Sequence, residues 1–194
     1  MEQAIKKDQR YTMEEYLKWP EEERWEIIDG VPYAMSPAPR VTHQNIVSNF
    51  HIRLKTHPEN PCYTGIAPTD VVLDDYTVVQ PDVFMVCDRK KITPDNIQGA
   101  PDLVVEVVSP STEVKDRREK LRLYERFGVK EYLIAFPERE YVERYALKLG
   151  RYGSPEIFNW DEHLPLTLFP MEVNLTEIFE KEPEKQSPPG EAST

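Results

Sequence analysis

The chain of 194 residues contains 39% hydrophobic and 30% charged residues and carries a formal net charge of −11. These values fit one globular domain and exclude a mainly disordered chain, because a single core grows to roughly 250 residues before chains split into domains. No apolar stretch approaches the ~18 residues of a membrane span, and Met1–Arg10 lacks an apolar signal core. We therefore expect no membrane segment and a cytoplasmic location.

The first part of the chain predicts a short helix, a hairpin and a longer helix. Thr12 followed by Glu15 is a capping-box pattern, which predicts a helix that begins here and runs to about Trp19. Asp29-Gly30 predicts the turn of the hairpin. The hairpin strands and the longer helix are predicted over Trp25–Ile28, Val31–Met35 and Thr42–His57.

The remaining elements predict one layered domain. They are strands within Cys62–Leu73, Thr77–Cys87, Asp102–Ser109 and Lys130–Phe136, a helix capped by Ser111 or Thr112 that ends at Phe127 before Gly128, and paired strands over Tyr141–Leu147 and Arg151–Ile157. The order helix, strand, strand, strand, helix, strand indicates a mixed α/β or α+β fold. We expect residues 11–179 to form a single domain and the Glu-, Lys-, Pro- and Ser-rich residues 180–194 to form a disordered tail.

The two cysteines, Cys62 and Cys87, lie in apolar strand-like runs. Two cysteines make neither a disulfide framework nor a thiolate metal site, so we expect both to behave as small hydrophobic residues.

Glu106 is unexpected because it lies in the middle of an apolar strand, between Val105 and Val107. Burying a carboxylate costs several kcal/mol unless the group is paired or binds a cation. We therefore predict a functional site, and the structural alternatives are a buried ion pair, a hydrogen-bonded acid or a strand whose end is more exposed.

Lys120 and Arg117 lie within the apolar stripe of the following helix, which Leu121, Tyr124 and Phe127 define at ~100° per residue. Lysine is rarely buried without a partner. A functional role competes with snorkelling of the Lys120 stem, and with a structural ion pair for Arg117.

Asp82 is the third candidate residue. It lies inside the apolar run Val78–Val86, directly after Pro81, which would interrupt a paired strand and favours a bulge or an edge. Acids on two neighbouring strands and a lysine reaching over them would form a small oxygen-lined cation site. Such a site suits Mg²⁺ or Mn²⁺, which prefer carboxylate and water ligands.

These residues, in this order, resemble the PD-(D/E)XK nuclease superfamily and, more narrowly, its Uma-two family, over roughly residues 11–150. The matching stretches are Trp25-Glu26-Ile27-Ile28-Asp29-Gly30, His43, Val79-Gln80-Pro81-Asp82-Val83, Pro101–Thr112, Asp116, Lys120, Tyr124 and Gly128-Val129-Lys130-Glu131-Tyr132. One position departs from the superfamily pattern, since Val108 stands where a lysine is expected two residues after Glu106. In this family the lysine of the next helix substitutes, and Lys120 matches it.

The resemblance implies a restriction-endonuclease-like core, with the N-terminal helix and hairpin and the C-terminal hairpin as additions, and a metal-dependent endonuclease that acts on DNA. It implies that Asp82 and Glu106 hold Mg²⁺ or Mn²⁺ with help from the Val107 carbonyl, and that Lys120 assists the attacking water. Glu26 is expected to supply a further carboxylate, although a surface acid at a strand edge is an equal alternative.

His43 and Arg117 are candidate contacts to substrate phosphate. His43 opens a predicted helix, where it is equally explained as a neighbour of the cap. A two-fold dimer is expected for cleavage of both strands, and Tyr141, Tyr145 and Tyr152 are predicted to be exposed and available for self-association.

Two alternatives remain open. The net charge of −11 and the displaced lysine favour a catalytically weak or inactive binding module on the same scaffold. A metal-dependent enzyme acting on a smaller substrate would also tolerate an acidic surface.

Overall fold

The computed structural model describes residues 9–20, 24–35, 38–109 and 113–181. The predicted helix cap at Ser111 or Thr112 and residues 182–194 of the predicted tail lie outside these ranges. None of the described helices is both long and apolar enough to cross a membrane.

The helices confirm two predicted signals, the capping box at Thr12 and the stop at Gly128, although the first helix ends at Tyr16 and not near Trp19. The helices are α1 (Met13–Tyr16), α2 (Val41–Thr56), α3 (Glu113–Lys115), α4 (Leu121–Phe127) and α5 (Leu175–Ile178), and a π-helical segment over Asp116–Lys120 joins α3 to α4. At the start of α1, the Thr12 side chain accepts from the Glu15 N–H, and the Glu15 carboxylate accepts from the Thr12 N–H. Gly128, with φ of 77°, ends α4 in the left-handed conformation.

The strands form two mixed sheets and a separate two-stranded ladder. In chain order they are β1 (Trp25–Ile28), β2 (Val31–Ala34), β3 (Tyr63–Ile66), β4 (Val71–Asp74), β5 (Thr77–Val79), β6 (Val83–Val86), β7 (Ile97–Gln98), β8 (Leu103–Val107), β9 (Glu131–Phe136), β10 (Tyr141–Lys148), β11 (Arg151–Tyr152), β12 (Glu156–Asn159), β13 (His163–Pro165) and β14 (Glu172–Asn174). The first sheet has the order β2-β1-β5-β4-β7 and the second β11-β10-β9-β8-β6-β3, with β12 also paired to β10 and β13 paired to β14.

The two apolar runs Cys62–Leu73 and Thr77–Cys87 are each divided between the two sheets. The run Thr77–Cys87 breaks at residues 80–82, where Pro81 has no N–H to donate, as predicted. Its first part, β5, pairs with β1 and β4 in the first sheet, and its second part, β6, pairs with β3 and β8 in the second. Asp82 therefore lies at the point where the chain passes from one sheet to the other.

The second sheet is the middle layer of the domain. β8 lies between antiparallel β6 and parallel β9, and all of its residues are buried, as predicted. Val105 and its neighbours on one face pack with Phe50 of α2. Val104 and its neighbours on the other face pack with Tyr124 of α4 and with Val79 of the first sheet. Strand alternation thus separates two cores around one sheet.

Cys62 and Cys87 form a disulfide, so the expectation of two separate small hydrophobic residues was wrong. Tyr63 of β3 pairs with Val86 of β6 in the antiparallel ladder. The two cysteines are the next pair along that ladder, and their Cα atoms are 4.3 Å apart. The pairing depends on which strands are neighbours, which the separation of 25 residues does not reveal.

The predicted exposure of the aromatic residues in the C-terminal hairpin was also wrong. Tyr145 is only 6% exposed, and its ring lies 6.2 Å from that of Tyr132. Tyr141 and Tyr152 are half-buried, and Tyr152 donates its hydroxyl hydrogen to the Val129 carbonyl. These rings cover β9, so they do not supply the exposed surface on which self-association was predicted.

Asp102 links three strands of the second sheet, and we expect Asp102→Asn to lower the free energy of unfolding by about 1–3 kcal/mol at neutral pH. Its carboxylate accepts hydrogen bonds from the Cys87 N–H at 2.8 Å and from Lys130 Nζ at 2.7 Å. Burial would raise the pKa of Asp102, but these two hydrogen bonds and the Lys130 charge lower it below its usual value.

Because the folded-state pKa is depressed, the stabilisation is present above the ordinary aspartate pKa of about 3.9 and is lost as the pH falls through the folded value. Urea unfolding of wild type and variant should differ at neutral pH and converge in acid. Asp95→Asn, at an exposed carboxylate, is the matched control. An equal difference at both pH values would contradict the assignment.

Candidate active site

Asp82 and Glu106 come from neighbouring strands and lie at the same end of the second sheet. Val83 of β6 is opposite Val105 of β8, and this register continued by one residue places Asp82 opposite Glu106. Directly opposite residues of antiparallel strands have Cβ atoms about 4.5–5.5 Å apart. Asp82 Oδ2 also accepts a hydrogen bond from the Val107 N–H at 2.8 Å. The strand pairing therefore brings the two predicted acids together.

The Lys120 ammonium is buried beside these acids. Its side chain is only 5% exposed, and Nζ lies 2.8 Å from Glu106 Oε1 and 2.9 Å from Glu26 Oε1. Tyr124, one helical turn further on, donates its hydroxyl hydrogen to the same Glu106 oxygen at 2.8 Å. Snorkelling would place the ammonium in water, so that alternative is excluded.

The π-helical segment Asp116–Lys120 determines which side chains of this helix face inward. A π turn takes up one extra residue, which rotates the preceding residues by roughly 100°, the step of one residue in an α-helix. Asp116 consequently faces inward and is 3% exposed, whereas the Arg117 side chain turns outward and is 41% exposed. A regular helical wheel predicts Lys120 correctly but misplaces Arg117.

Glu26 lies on an internal strand, so the alternative of a surface acid at a strand edge was wrong. β1 is flanked by β2 and β5, and Glu26 is 1% exposed. Its Oε1 accepts from the Gln80 N–H at 3.0 Å and from Lys120, and its Oε2 accepts from the Lys115 ammonium. Both oxygens are therefore already engaged with donors of the chain.

His43 lies in the first turn of α2, at the open side of the cluster. Its Nε2 is 3.3 Å from Asp82 Oδ2, and the two side chains are 16% and 20% exposed. Within the described part of the chain, the buried His43 Nδ1 has no hydrogen-bond partner. Burial would lower the pKa of His43, but the hydrogen bond and charge of Asp82 and the Val107 backbone raise it.

Burial and neighbouring charges shift the pKa values of the buried groups in different directions. Burial would raise the pKa of Glu26, but the charges of Lys120 and Lys115 lower it. Burial raises the pKa of Glu106, and the surrounding carboxylates add to the rise against the opposing effect of Lys120. Burial would lower the pKa of Lys120, yet these carboxylates raise it well above its usual value. The carboxylates around Lys120 therefore favour its protonated form.

The donor set of the cluster fits a hydrated magnesium-type ion. No group of three or more His, Cys, Asp or Glu side chains among the described residues could hold a metal ion. Mg²⁺, however, is usually held through one or two carboxylates together with waters and substrate phosphate. Asp82 and Glu106, with the Val107 carbonyl, supply oxygen donors of this kind.

Arg117 is not brought to this cluster. Its guanidinium group donates to Glu143 of β10 at 2.9 Å, and its Cζ lies 5.7 Å from the centre of the Phe136 ring. Glu143 is 2% exposed and also accepts from the Tyr145 hydroxyl. This contact matches the structural ion pair that was the alternative for Arg117.

Three residues of the cluster were not singled out as site residues from the sequence: Lys115, Asp116 and Tyr124. Asp116 and Tyr124 lie four residues before and after Lys120, and a polar residue at that spacing from a buried lysine is a usable signal. Lys115 lies five residues before Lys120, a spacing that an α-helix does not place on one face. Only the π segment makes Lys115 a neighbour of the site.

A central mixed sheet between helices, with acids on two neighbouring strands and a lysine from the next helix, defines a protein of the restriction-endonuclease-like class. The chain belongs to the Uma2 family, described as "Putative restriction endonuclease", whose model matches residues 13–177.

The chain has two further similarities. The chain is similar to a solved structure titled a "putative nuclease belonging to DUF820" from Anabaena variabilis, with a TM-score of 0.71 and 20% identity over 87% of this chain and 97% of that chain. At this identity the likeness concerns the fold. The chain is also 35% identical over 123 residues to an uncharacterized protein of Synechocystis sp., and the match covers 59% of this chain and 62% of that protein. The chain thus spans less than two thirds of that relative.

We expect Tyr124→Phe to lower the free energy of unfolding by about 1.5–3 kcal/mol, because it removes a hydrogen bond to the buried Glu106 carboxyl group. Tyr132→Phe is the matched control, since the Tyr132 hydroxyl donates to the neutral Asp116 carbonyl at 3.2 Å. The control should cost only about 0.5–1.5 kcal/mol. Chemical denaturation measures both values, and an equal or greater cost for Tyr132→Phe would contradict the expectation.

Proposed function

We propose that the chain is a divalent-metal-dependent endonuclease that hydrolyses phosphodiester bonds of DNA. The observation that carries the proposal is the meeting of Asp82, Glu106 and the Lys120 ammonium at one end of the second sheet. Phosphodiester hydrolysis needs an activated water and groups that stabilise negative charge on the phosphate. Membership of the Uma2 family supports the same activity.

Asp82 and Glu106, with the Val107 carbonyl, would hold Mg²⁺ or Mn²⁺. When bound, such an ion supplies Lewis acidity toward a phosphate oxygen and lowers the pKa of water. Charge balance supports this assignment, because the four carboxylates Glu26, Asp82, Glu106 and Asp116 outnumber the two ammonium groups of Lys115 and Lys120 in the cluster. These six groups carry two excess negative charges when all are ionised, or one when His43 beside Asp82 is also protonated, and a divalent ion would offset this charge.

Lys120 stabilises charge rather than removing protons in this proposal. The carboxylates beside Lys120 raise its pKa, so in this proposal the ammonium donates hydrogen bonds to an attacking water or to the phosphate. Glu26 and Tyr124 orient the reacting groups, since Glu26 holds Lys120 and Tyr124 holds Glu106. His43, on the open side beside Asp82, would contact substrate phosphate.

A homodimer belongs to the same proposal, because cleaving both strands of a duplex needs two sites.

The proposal is tested with purified protein, Mg²⁺ or Mn²⁺ and supercoiled and linear DNA. We expect wild type to cut, and Glu106→Gln and Lys120→Gln to cut roughly 10²-fold or more slowly, because each loses an interaction with the reacting groups. Circular dichroism should show Glu106→Gln to be folded, because the amide keeps an oxygen beside Lys120 Nζ and the Tyr124 hydroxyl, and Glu26 still pairs with Lys120.

Glu143→Gln is the matched control, because Glu143 is an equally buried acid of the same sheet that pairs with Arg117 outside the cluster. It should cut like wild type. Failure of wild type to cut any DNA with either metal, or equal cutting by wild type and Glu106→Gln, would refute the proposal.

One observation favours a second candidate, an inactive nuclease-fold binding module. The Lys120 ammonium already lies on Glu106 Oε1, so the acids are partly neutralised without a metal ion. Isothermal titration with Mn²⁺ separates the two candidates. The nuclease should show binding that weakens in Asp82→Asn, whereas the inactive module should show no binding heat.

A further inference from the structure

Two lysines of one helix meet on the same buried carboxylate. Lys120 Nζ contacts Glu26 Oε1, and Lys115 Nζ contacts Glu26 Oε2. In an α-helix, side chains five residues apart point about 140° away from each other, so such a pair would not meet on one carboxylate. The π segment Asp116–Lys120 lies between them, and its i→i+5 repeat brings both side chains to the same face.

The two lysines differ in what they can still bind. Lys120 is 5% exposed and shared between Glu26 and Glu106. Lys115 is 21% exposed, and its ammonium lies 4.7 Å from the centre of the Tyr33 ring. An ammonium group has three N–H donors, and its attraction to an aromatic face does not require a hydrogen bond from each of them. Lys115 is therefore the cation of the cluster that reaches solvent with donor capacity left.

A cation that reaches solvent beside the cluster would offset part of the negative charge that an approaching polyanion meets. The net charge is −11, and four carboxylates of the cluster would repel a phosphate that approaches from solvent. Lys115 lies at the edge of these carboxylates, held in place from two sides by Glu26 and Tyr33. A fixed cation costs less conformational entropy on binding than a free surface lysine.

We propose that Lys115 is a substrate-contact residue that binds a backbone phosphate of DNA beside the cleaved bond, and that the π segment aligns it with Lys120. This inference rests on the proposed nuclease function. Lys120 then contacts the reacting phosphate and Lys115 contacts a neighbouring phosphate. Glu26 holds both ammonium groups in place.

The test is the salt dependence of DNA binding, measured by fluorescence anisotropy of a labelled duplex without divalent metal so that no cleavage occurs. A protein that loses one phosphate contact loses about 0.9 from the slope of log affinity against log salt. We expect Lys115→Gln to show this smaller slope and weaker binding at low salt. Lys115→Arg, which keeps the positive charge, should show the wild-type slope. Lys148→Gln is the matched control. Lys148 is exposed at the last residue of β10, whereas the strand pairing places the first residues of β10 on the side of the cluster.

Lys115→Gln leaves Glu26 with one cation fewer, which could unfold the chain. The comparison is therefore repeated in a Glu26→Gln background, where the carboxylate charge is absent from both proteins. The same loss of slope between Glu26→Gln and Glu26→Gln/Lys115→Gln supports phosphate contact, because the ion pair between Lys115 and Glu26 is absent from both proteins.

Two results would overturn the inference. If Lys115→Gln and Lys148→Gln both keep the wild-type slope while wild type binds and cuts DNA, Lys115 does not contact phosphate and the nuclease function stands. If wild type neither binds nor cuts DNA at low salt, the inference and the proposed function fall together.

Discussion

The ammonium of Lys120, buried between Glu26 and Glu106, is the interaction on which the site depends. Glu26 belongs to the first sheet, Glu106 to the second, and Lys120 to the helix packed against both. Removing one partner of a buried ion pair typically costs 3–5 kcal/mol, because the remaining charge is left without compensation. The same three charges therefore hold three layers of the fold together and fix the geometry of the cluster.

The interruption at Pro81 gives this interaction its surroundings. Gln80, before the proline, donates its backbone N–H to Glu26, and Asp82, after it, accepts the Val107 N–H. Pro81, which cannot continue a strand ladder, thus lies between a residue that contacts the first sheet and a residue that contacts the second. A continuous strand would keep both residues in a single sheet, and Asp82 would not reach the end of β8.

The sequence predicted those parts of the fold and site that follow from local pattern. β8, α2 and the end of α4 follow from hydrophobic spacing and from Gly128, and Glu106 and Lys120 stand out because a charge in an apolar stripe needs a partner. What it did not predict depends on long-range pairing. The Cys62–Cys87 disulfide follows from β3 pairing with β6, and the burial of Glu26 follows from β1 lying inside a sheet, and neither pairing is encoded in spacing.

The π segment links the displaced lysine to the rest of the site. Val108 stands where the superfamily pattern has its lysine, and the buried cation comes instead from a helix whose rotation decides whether it reaches Glu106. Strand alternation fixes the direction of a side chain every two residues, whereas one extra residue in a helix turns everything before it by roughly 100°. Here that rotation turns Arg117 toward Glu143 and brings Asp116 and Lys115 inward. The helix that supplies the buried cation Lys120 thereby also supplies Lys115 and Asp116, and the five-residue π segment decides which of its side chains join the cluster.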